Sequence, residues 1–182
     1  MTEEQAFLKS GSEASLMILY LVQHARAKSK EEDPERALSD EGVVEISKMA
    51  SYVASLKIEV EEVFHSSKLR TKQTAEILTA KIQPERRISE TDGLLPLDDP
   101  GVWGKRLQDI NKNIVIVGHL PHLSKLASLL LCGDAEREVI SFRNAGIVCL
   151  NRDNAGDWSL QWMVTPELII VDHSRIISSV SC

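Results

Sequence analysis

The hydrophobic positions along this chain follow two patterns, which predict alternating strands and helices. Continuous apolar runs at residues 16–22 and 114–117, the second within a predicted strand over 113–117, are typical of strands that are buried on both faces of a covered parallel sheet. After Ser39, apolar residues instead recur at helical spacing as far as residue 56. Ser39 suits the N-cap of this helix, because its hydroxyl can accept a hydrogen bond from a free backbone N–H.

Shorter patterns predict the remaining elements and, with them, the fold class. Because strands alternate with helices, we expect a three-layer α/β/α fold, with a mostly parallel sheet and helices on both faces. One domain is expected over residues 15–170, after a flexible N-terminal segment (1–14) and before a C-terminal tail (171–182). The further helices are predicted over residues 68–82, 102–110 and 121–131, and the further strands over residues 63–65, 87–88, 138–142, 145–151 and 157–164.

Composition narrows the classes of partner and compartment. The 182 residues carry a formal net charge of -6, which argues against non-specific binding to nucleic acid or to an anionic membrane. The longest apolar run, residues 16–22, is far too short to span a bilayer. The three cysteines are far apart and lack any metal-type spacing, so a reducing cytoplasm is the simpler expectation.

Two histidines follow the two buried strands directly. His24 comes after the first strand and His119 after the later one, and ligands of such sheets bind beyond the carboxyl ends of the strands. Arg70 falls in the first turn of a helix that we expect Ser66 or Ser67 to cap, where both the guanidinium and the helix N-terminus suit phosphate oxygens. Each residue alone is as readily structural or solvated, but together they indicate an anion site at one sheet edge.

Several segments of the chain resemble the histidine phosphatase superfamily, whose members have a phosphoglycerate mutase-like fold. The resemblance covers about residues 16–170, and the stretch between residues 79 and 112 is too short for the inserted helical subdomain of the larger members. The chain is therefore most similar to the short, SixA-like protein-histidine phosphatases. The segments are LYLVQHA at 19–25, beside the family's Arg-His-Gly/Ala signature; RALSDEG at 36–42, beside Arg-Pro-Leu-Thr-x-x-Gly; SSKLRTKQTAEIL at 66–78, beside Ser-Pro-x-x-Arg-Ala-x-Gln-Thr-Ala-Glu-Ile-Leu; VGHLP at 117–121, beside the second histidine signature; and 157–166, beside the last strand of the SixA-like proteins.

This resemblance implies roles for individual residues. His24 matches the nucleophile that becomes phosphohistidine, Arg70 a phosphate-binding arginine, and His119 a second histidine that stabilises charge on the phosphoryl group. Arg36 matches a basic residue near the pocket mouth, which would help to bind the phosphate. Gln23 stands where the family has an arginine beside the phosphate. Glutamine keeps a donor but loses the charge and the two-pronged grip, and a hydrogen bond to a charged group is worth about 1.5–3 kcal/mol.

No acidic residue stands in a recognisable general-acid motif. Glu90, Asp92, Asp98 and Asp99 lie in the region where larger members carry the acid that protonates a leaving alkoxide, but an acidic loop is usually solvated. A phosphorylated imidazole is a better leaving group than an alcohol and needs less help from an acid. The missing motif therefore favours phosphohistidine as the substrate group. Arg26 could replace the charge lost at position 23 if the chain stays extended there, but it is more simply a surface charge.

The resemblance thus implies a metal-independent phosphatase with a covalent phosphohistidine intermediate and no cofactor, most simply a protein phosphohistidine phosphatase. A phosphorylated substrate is the implied partner, with a phosphohistidine-bearing protein as one candidate, and the oligomeric state is left open. Three alternatives stay open. They are a phosphomonoesterase or mutase for a small metabolite; a non-catalytic phosphate-binding regulatory domain; and a zinc enzyme that uses His24, His119 and His122, whose spacing matches no metal signature. His122, one turn into its helix, is more simply expected to cap the helix or to face solvent.

Overall fold

The structure is a computed structural model that describes residues 17–85 and 88–169. The flexible segment predicted over residues 1–14, the tail predicted over 171–182, and Arg87 at the start of one predicted strand lie outside the described residues. The strands are β1 (Met17–Gln23), β2 (Glu62–His65), β3 (Ile88–Glu90), β4 (Ile114–Gly118), β5 (Ile147–Arg152) and β6 (Trp158–Val164). The helices are α1 (Asp40–Ser55), α2 (Leu69–Ile82), α3 (Pro100–Asp109) and α4 (His122–Cys132), and a 3₁₀ turn follows at Pro166–Leu168.

The six strands form one sheet in the order β3-β2-β4-β1-β5-β6. The first four strands of this order are parallel to one another, whereas β5 runs antiparallel to both of its neighbours. This arrangement confirms the predicted α/β class with a mostly parallel sheet. Strands β1 and β4 are neighbours, with Gln23 opposite Gly118, so the chain leaves both strands at the same edge of the sheet.

Helices cover both faces of the sheet, which explains the continuous apolar run of β1. Side chains alternate across a strand, so Tyr20 and Val22 belong to the core formed with α1 and α2. Leu19 and Leu21 belong to the second core, which is formed with α3 and α4. A strand between two cores needs apolar residues at every position, and that is what the sequence shows.

Two local predictions are wrong. Residues 138–142 form no strand, although Ile140 and Phe142 are buried in the second core. Alternating apolar residues can anchor an extended loop as well as a strand, which is why the pattern misled. Helix α2 is not capped by a serine either: its N-cap is Lys68, which makes no side-chain capping hydrogen bond, and the Ser66 hydroxyl accepts from the backbone N–H of Lys68 itself, at 3.3 Å.

The start of α1 fixes the segment that follows β1. The Ser39 hydroxyl accepts from the backbone N–H of Gly42 at 3.1 Å, as expected of an N-cap. A Cβ atom at Gly42 would lie 2.1 Å from the carbonyl oxygen of Arg26, so any larger residue would push the two segments apart. The close contact holds the chain just beyond β1 against α1.

Two further features concern membrane-spanning helices and the cysteine thiols. Within residues 17–85 and 88–169, no helix is long and apolar enough to cross a membrane. Cys132 is exposed, Cys149 is buried, and both are free thiols. Cys182 lies outside the described residues.

Candidate active site

His24 follows β1 and is held by contacts on its backbone and on its ring. Its backbone N–H donates to the carbonyl of Gly118 at 3.1 Å, and its own carbonyl accepts from the side-chain amide of Asn144 at 3.0 Å. Ring atom Nδ1 lies 2.8 Å from the carbonyl oxygen of Ala25. A carbonyl can only accept, so Nδ1 carries the proton and Nε2 presents its lone pair.

The ring of His24 is neutral at pH 7. The pKa of His24 is lowered to about 4, mainly by burial; the hydrogen bond to Ala25 opposes the shift, and the positive charges of Arg70 and Arg36 contribute to it. The neutral imidazole is the form that can act as a nucleophile. His24 is therefore both oriented and in the right protonation state for attack through Nε2.

Arg70 lies in the first turn of α2 and contacts His24 directly. Its Nε donates to Nε2 of His24 at 3.2 Å. The side chain is buried, and burial together with the charge of Arg36 lowers the pKa of Arg70. A guanidinium nevertheless stays protonated in proteins, so a positive fork lies beside the lone pair of His24.

His119 follows β4 and lies against His24. The two ring centroids are 5.1 Å apart with an angle of 64° between the planes. Nε2 of His119 lies 2.7 Å from the hydroxyl of Ser66. Burial, together with the neighbouring His24 and Arg70, lowers the pKa of His119 to about 3, so this ring is also neutral at pH 7. The structure thus brings His24, Arg70 and His119 together at the carboxyl edge of the sheet.

The two remaining predicted binding residues lie beside this group. Arg36 donates from Nε to the carbonyl of Lys28 at 3.2 Å, and its charge is near enough to lower the pKa of both His24 and Arg70. Gln23 is the last residue of β1 and is partly buried. Its side-chain carbonyl oxygen is buried and has no hydrogen-bond partner in the described part of the chain. The carbonyl oxygen of the Gln23 side chain is therefore not committed to another group in this part of the chain.

Arg26 does not replace the charge missing at position 23. Its guanidinium forms ion pairs with Glu41 at 3.1 Å and with Glu45 at 3.0 Å, both on α1, and half of the side chain is exposed. This agrees with the interpretation of Arg26 as a surface charge.

His122 differs from its prediction. It is completely buried in the first turn of α4, and neither ring nitrogen has a partner among the residues described. The expectation that it caps the helix or faces solvent is wrong, because the first turn of α4 packs into the protein. Burial lowers the pKa of His122, while the charges of Asp98 and Asp99 oppose that shift, so His122 lies close to the loop that carries them.

The four candidate acids line an open cavity of about 560 Å³. Asp92 pairs with Arg106 at 2.8 Å. Asp98 and Asp99 each accept from a backbone N–H at 2.8 Å, and Asp99 thereby caps α3. Glu90 is exposed at the end of β3. Three of the four carboxylates are thus engaged in holding their own loop or helix.

Some residues that build the site were not predicted from the sequence. The Thr74 hydroxyl accepts from the backbone N–H of Ala25 at 3.1 Å and donates to the carbonyl of Arg70 at 2.7 Å, which ties the loop after His24 to α2. Thr74 lies within the segment that resembles the family, and that segment is the signal that could have found it. Asn144, in contrast, is a lone polar residue in a loop and carries no pattern.

The described residues contain no group of three or more His, Cys, Asp or Glu side chains that could hold a metal ion. The three histidines of the zinc alternative are accordingly not arranged as a metal site in this part of the chain.

Comparison with known proteins identifies the family. A sequence profile of the histidine phosphatase superfamily (branch 1) matches residues 19–96, a stretch that includes both His24 and Arg70. An uncharacterised protein of Picosynechococcus sp. is 30% identical over 142 residues, which are 74% of this chain and 84% of that protein. The chain belongs to the histidine phosphatase superfamily.

Within the histidine phosphatase superfamily, the chain is similar to the SixA proteins. The phosphohistidine phosphatase SixA of Escherichia coli (strain K12) is 24% identical over 155 residues, which are 82% of this chain and 94% of that protein. A solved structure of the protein histidine phosphatase SixA complexed with tungstate superimposes with a TM-score of 0.75 at 24% identity, over 82% of this chain and 97% of that one. The likeness shows the phosphoglycerate mutase-like fold, and between β3 and β4 this chain carries only α3.

Proposed function

We propose that this member of the superfamily is a phosphatase that works through a covalent phosphohistidine at His24, and that its substrate is a phosphohistidine on another protein. One observation carries the proposal. The contact of Nδ1 with Ala25 keeps Nε2 of His24 unprotonated, and Nε of Arg70 lies 3.2 Å from Nε2. A nucleophile and a cation that suits phosphate are thereby adjacent.

In the first step, the lone pair of Nε2 attacks phosphorus in line with the leaving group. A nitrogen–phosphorus bond forms while the bond from phosphorus to the leaving atom breaks, and the leaving group departs with the electron pair and takes up a proton from solvent. As the substrate arrives, the Nε–H of Arg70 must exchange its hydrogen bond to Nε2 of His24 for one to a phosphoryl oxygen. The contribution of the protein is mainly positioning and charge stabilisation.

In the second step, water attacks phosphorus and the bond to His24 breaks. Its electron pair returns to Nε2, and the water proton leaves with phosphate or passes to solvent. The hydrogen bond from Nδ1 to Ala25 keeps the ring in one orientation through both steps. Arg70 and Arg36 supply positive charge to the phosphoryl group in each, and Gln23 contributes a neutral amide in place of a third cation.

The state of the carboxylates supports phosphohistidine over a phosphate ester. Asp92, Asp98 and Asp99 are engaged by Arg106 or by backbone N–H groups, so a ready general acid for an alkoxide leaving group is lacking among them. An imidazole leaving group makes a smaller demand on such an acid. The SixA sequence and the SixA structure named above, described as a phosphohistidine phosphatase and a protein histidine phosphatase, support the same substrate class.

Covalent labelling tests the nucleophile. Incubation with a radiolabelled phosphodonor should leave phosphate on His24 that is labile in acid and stable in base. His24→Ala should lose both the label and turnover while keeping the circular dichroism spectrum of the folded protein. A folded His24→Ala protein that turns over at the wild-type rate would remove His24 from the mechanism.

Parallel substrates test the substrate class. We expect faster turnover of a phosphohistidine peptide than of an aryl phosphate, and little effect of Glu90→Gln or Asp98→Asn on the peptide reaction. Faster turnover of a small phosphate ester, with that activity lost in Glu90→Gln or Asp98→Asn, would favour the phosphomonoesterase or mutase for a small metabolite. Absence of turnover on both substrates would favour the regulatory domain, and strong inhibition by a chelator would favour the zinc enzyme.

A further inference from the structure

A buried chain of hydrogen bonds leads from His119 to the backbone of α2. The Ser66 hydroxyl lies 2.7 Å from Nε2 of His119 and 2.8 Å from the hydroxyl of Thr71. The Thr71 hydroxyl in turn lies 2.7 Å from the carbonyl oxygen of Lys68 and 3.0 Å from that of Ser66. Ser66 and Thr71 are both completely buried, so solvent cannot substitute for either partner.

Counting protons along this chain gives one consistent order. Carbonyl oxygens can only accept, so the single proton of the Thr71 hydroxyl is committed to the backbone. Thr71 must then accept from Ser66, which uses the single proton of Ser66. The remaining short contact, between Ser66 and His119, needs a proton, and His119 must supply it from Nε2.

The opposite order leaves a buried contact without a proton. If Ser66 donated to Nε2 of His119, Thr71 would have to donate to Ser66. The Thr71 hydroxyl would then face the Lys68 carbonyl at 2.7 Å as one acceptor against another. The Lys68 carbonyl would keep its backbone donors, the N–H groups of Thr71 and Lys72, but two oxygen lone pairs 2.7 Å apart repel each other, so this order is disfavoured.

We propose that Thr71, acting through Ser66, is a positioning residue that holds His119 as the Nε2–H tautomer and leaves its Nδ1 for the phosphoryl group. The proposal rests on the proposed function, because it assigns Nδ1 to the substrate of that reaction. Nδ1 of His119 is buried and has no partner among the described residues, which is consistent with a place kept for a ligand. The family pattern quoted above has alanine at position 71, so this restraint is a feature of the present chain.

The tautomer has a consequence for binding. A bare Nδ1 cannot donate to a fully ionised phosphoryl oxygen, because both atoms are acceptors. The two can join only with one added proton, which the ligand carries or water supplies. Binding of inorganic phosphate, studied above its second ionisation, should therefore take up about one proton, and a protein with Nδ1–H in place should take up fewer.

Nitrogen-15 NMR of the ligand-free protein tests the tautomer without any need for activity. Two-bond proton–nitrogen correlations at neutral pH should show His119 protonated at Nε2. In Thr71→Val the isosteric side chain cannot accept, so Ser66 should donate to His119 and the ring should switch to Nδ1–H. Thr71→Ser keeps a hydroxyl and should restore the Nε2–H form. Wild-type His119 in the Nδ1–H form, or a folded Thr71→Val protein with His119 unchanged, would overturn the proposal.

Thr79→Val is a matched control on the same helix. Thr79 is also buried and also donates its hydroxyl to a backbone carbonyl, that of Ala75 at 2.8 Å, but it has no link to His119. We expect Thr71→Val to lower the turnover of a phosphohistidine peptide by about tenfold, because His119 then meets the phosphoryl group as a neutral ring without the added proton, and Thr79→Val to leave it unchanged. Calorimetry in buffers of different ionisation enthalpy should show less proton uptake with phosphate in Thr71→Val than in Thr79→Val. Equal uptake and equal turnover in the two variants would contradict the proposal.

If the Thr71→Val protein does not fold, Ser66→Ala supplies the second test. This substitution removes the hydroxyl that accepts from Nε2–H of His119 and donates to Thr71. His119 should then lose its preference for Nε2–H, and a ring that keeps it would count against the proposal. The tautomer result is also separate from the proposed function. A wild-type protein with Nε2–H on His119 but no phosphatase activity would refute the function alone.

Discussion

Nε of Arg70 lies 3.2 Å from Nε2 of His24, so the cation of the site caps the lone pair that we assign to attack. The same N–H cannot bind the nucleophile and a phosphoryl oxygen at once. Substrate binding must therefore exchange this contact for bonds to the phosphoryl group, which frees Nε2 as phosphorus approaches. Because Arg70 is buried and its position is set by α2, the exchange needs only a small side-chain movement.

Replacing Arg70 should impair catalysis more than replacing another arginine. Arg70→Met removes a charged donor to the phosphoryl group, worth about 1.5–3 kcal/mol, so kcat/KM should fall roughly 10- to 150-fold. Arg70→Lys keeps the charge but loses the planar fork and should recover only part of the rate. Arg26→Met is the control, because Arg26 contacts Glu41 and Glu45 and not His24. Equal losses in Arg70→Met and Arg26→Met, measured with one substrate, would show that Arg70 has no special role.

The activity should persist to unusually acidic pH for a histidine nucleophile. The pKa of His24 is lowered from 6.5 to about 4, so the ring stays neutral, with its lone pair available, until the pH falls to that range. We expect the acid limb of kcat/KM, corrected for ionisation of an acid-stable aryl phosphate, near pH 4. Arg36→Gln removes one of the charges that lower this pKa and should move the limb to higher pH. A wild-type limb near 6.5 would contradict this account of His24.

The depressed pKa values also affect stability. The unfolded chain binds protons on His24 and His119 at a higher pH than the folded protein does, so their contribution is fully present above pH 6.5. It is lost as the pH falls through the folded values, about 4 for His24 and about 3 for His119. The free energy of unfolding in urea should therefore decrease across this window. His119→Gln should show a shallower decrease, and an identical slope would argue against a neutral, buried His119.

Restoring an arginine at position 23 should tighten oxyanion binding. Gln23 has a buried oxygen without a described partner, so Gln23→Arg removes an unsatisfied acceptor and adds a charged donor. Repulsion from Arg70 and Arg36 offsets part of the gain, and we expect about tenfold tighter vanadate binding, or about 1.4 kcal/mol. Gln23→Met is the control for size without charge and should not tighten binding. Unchanged affinity in Gln23→Arg would show that residue 23 does not face the phosphoryl group.

Gly42 should tolerate no side chain. A Cβ atom there would lie 2.1 Å from the backbone oxygen of Arg26, and only a shift of α1 or of the segment after β1 could relieve the overlap. Gly42→Ala should cost roughly 3 kcal/mol or more of unfolding free energy, measured with urea. Gly104→Ala on α3 is the matched control, because its nearest atom belongs to the flexible Leu129 side chain at 3.1 Å, and it should change stability by about 1 kcal/mol or less. Similar costs for the two substitutions would contradict this reason for glycine at position 42.

The sequence alone determined the elements whose burial follows a local period. The strands before His24 and His119, and the helix after Ser39, were predicted because side-chain direction repeats every two residues in a strand and every 3.6 in a helix. Because His24 and His119 directly follow two of these strands, the sequence also indicated that both histidines lie at one edge of the sheet. Such patterns depend only on residues that are near one another in the sequence, so they can be recognised without knowledge of the fold.

Only the tertiary structure decided which polar groups meet across that edge. The link from Thr71 through Ser66 to His119 joins segments 48 residues apart, from position 71 to position 119, and no local period reports it. The burial of His122 depends on how the first turn of α4 packs, and Ile140 is buried from a loop because α4 and the sheet leave room for it. Hydrogen bonds and packing between distant segments arise from the geometry of the whole fold, so the proton order at His119 could not be read from the order of the amino acids.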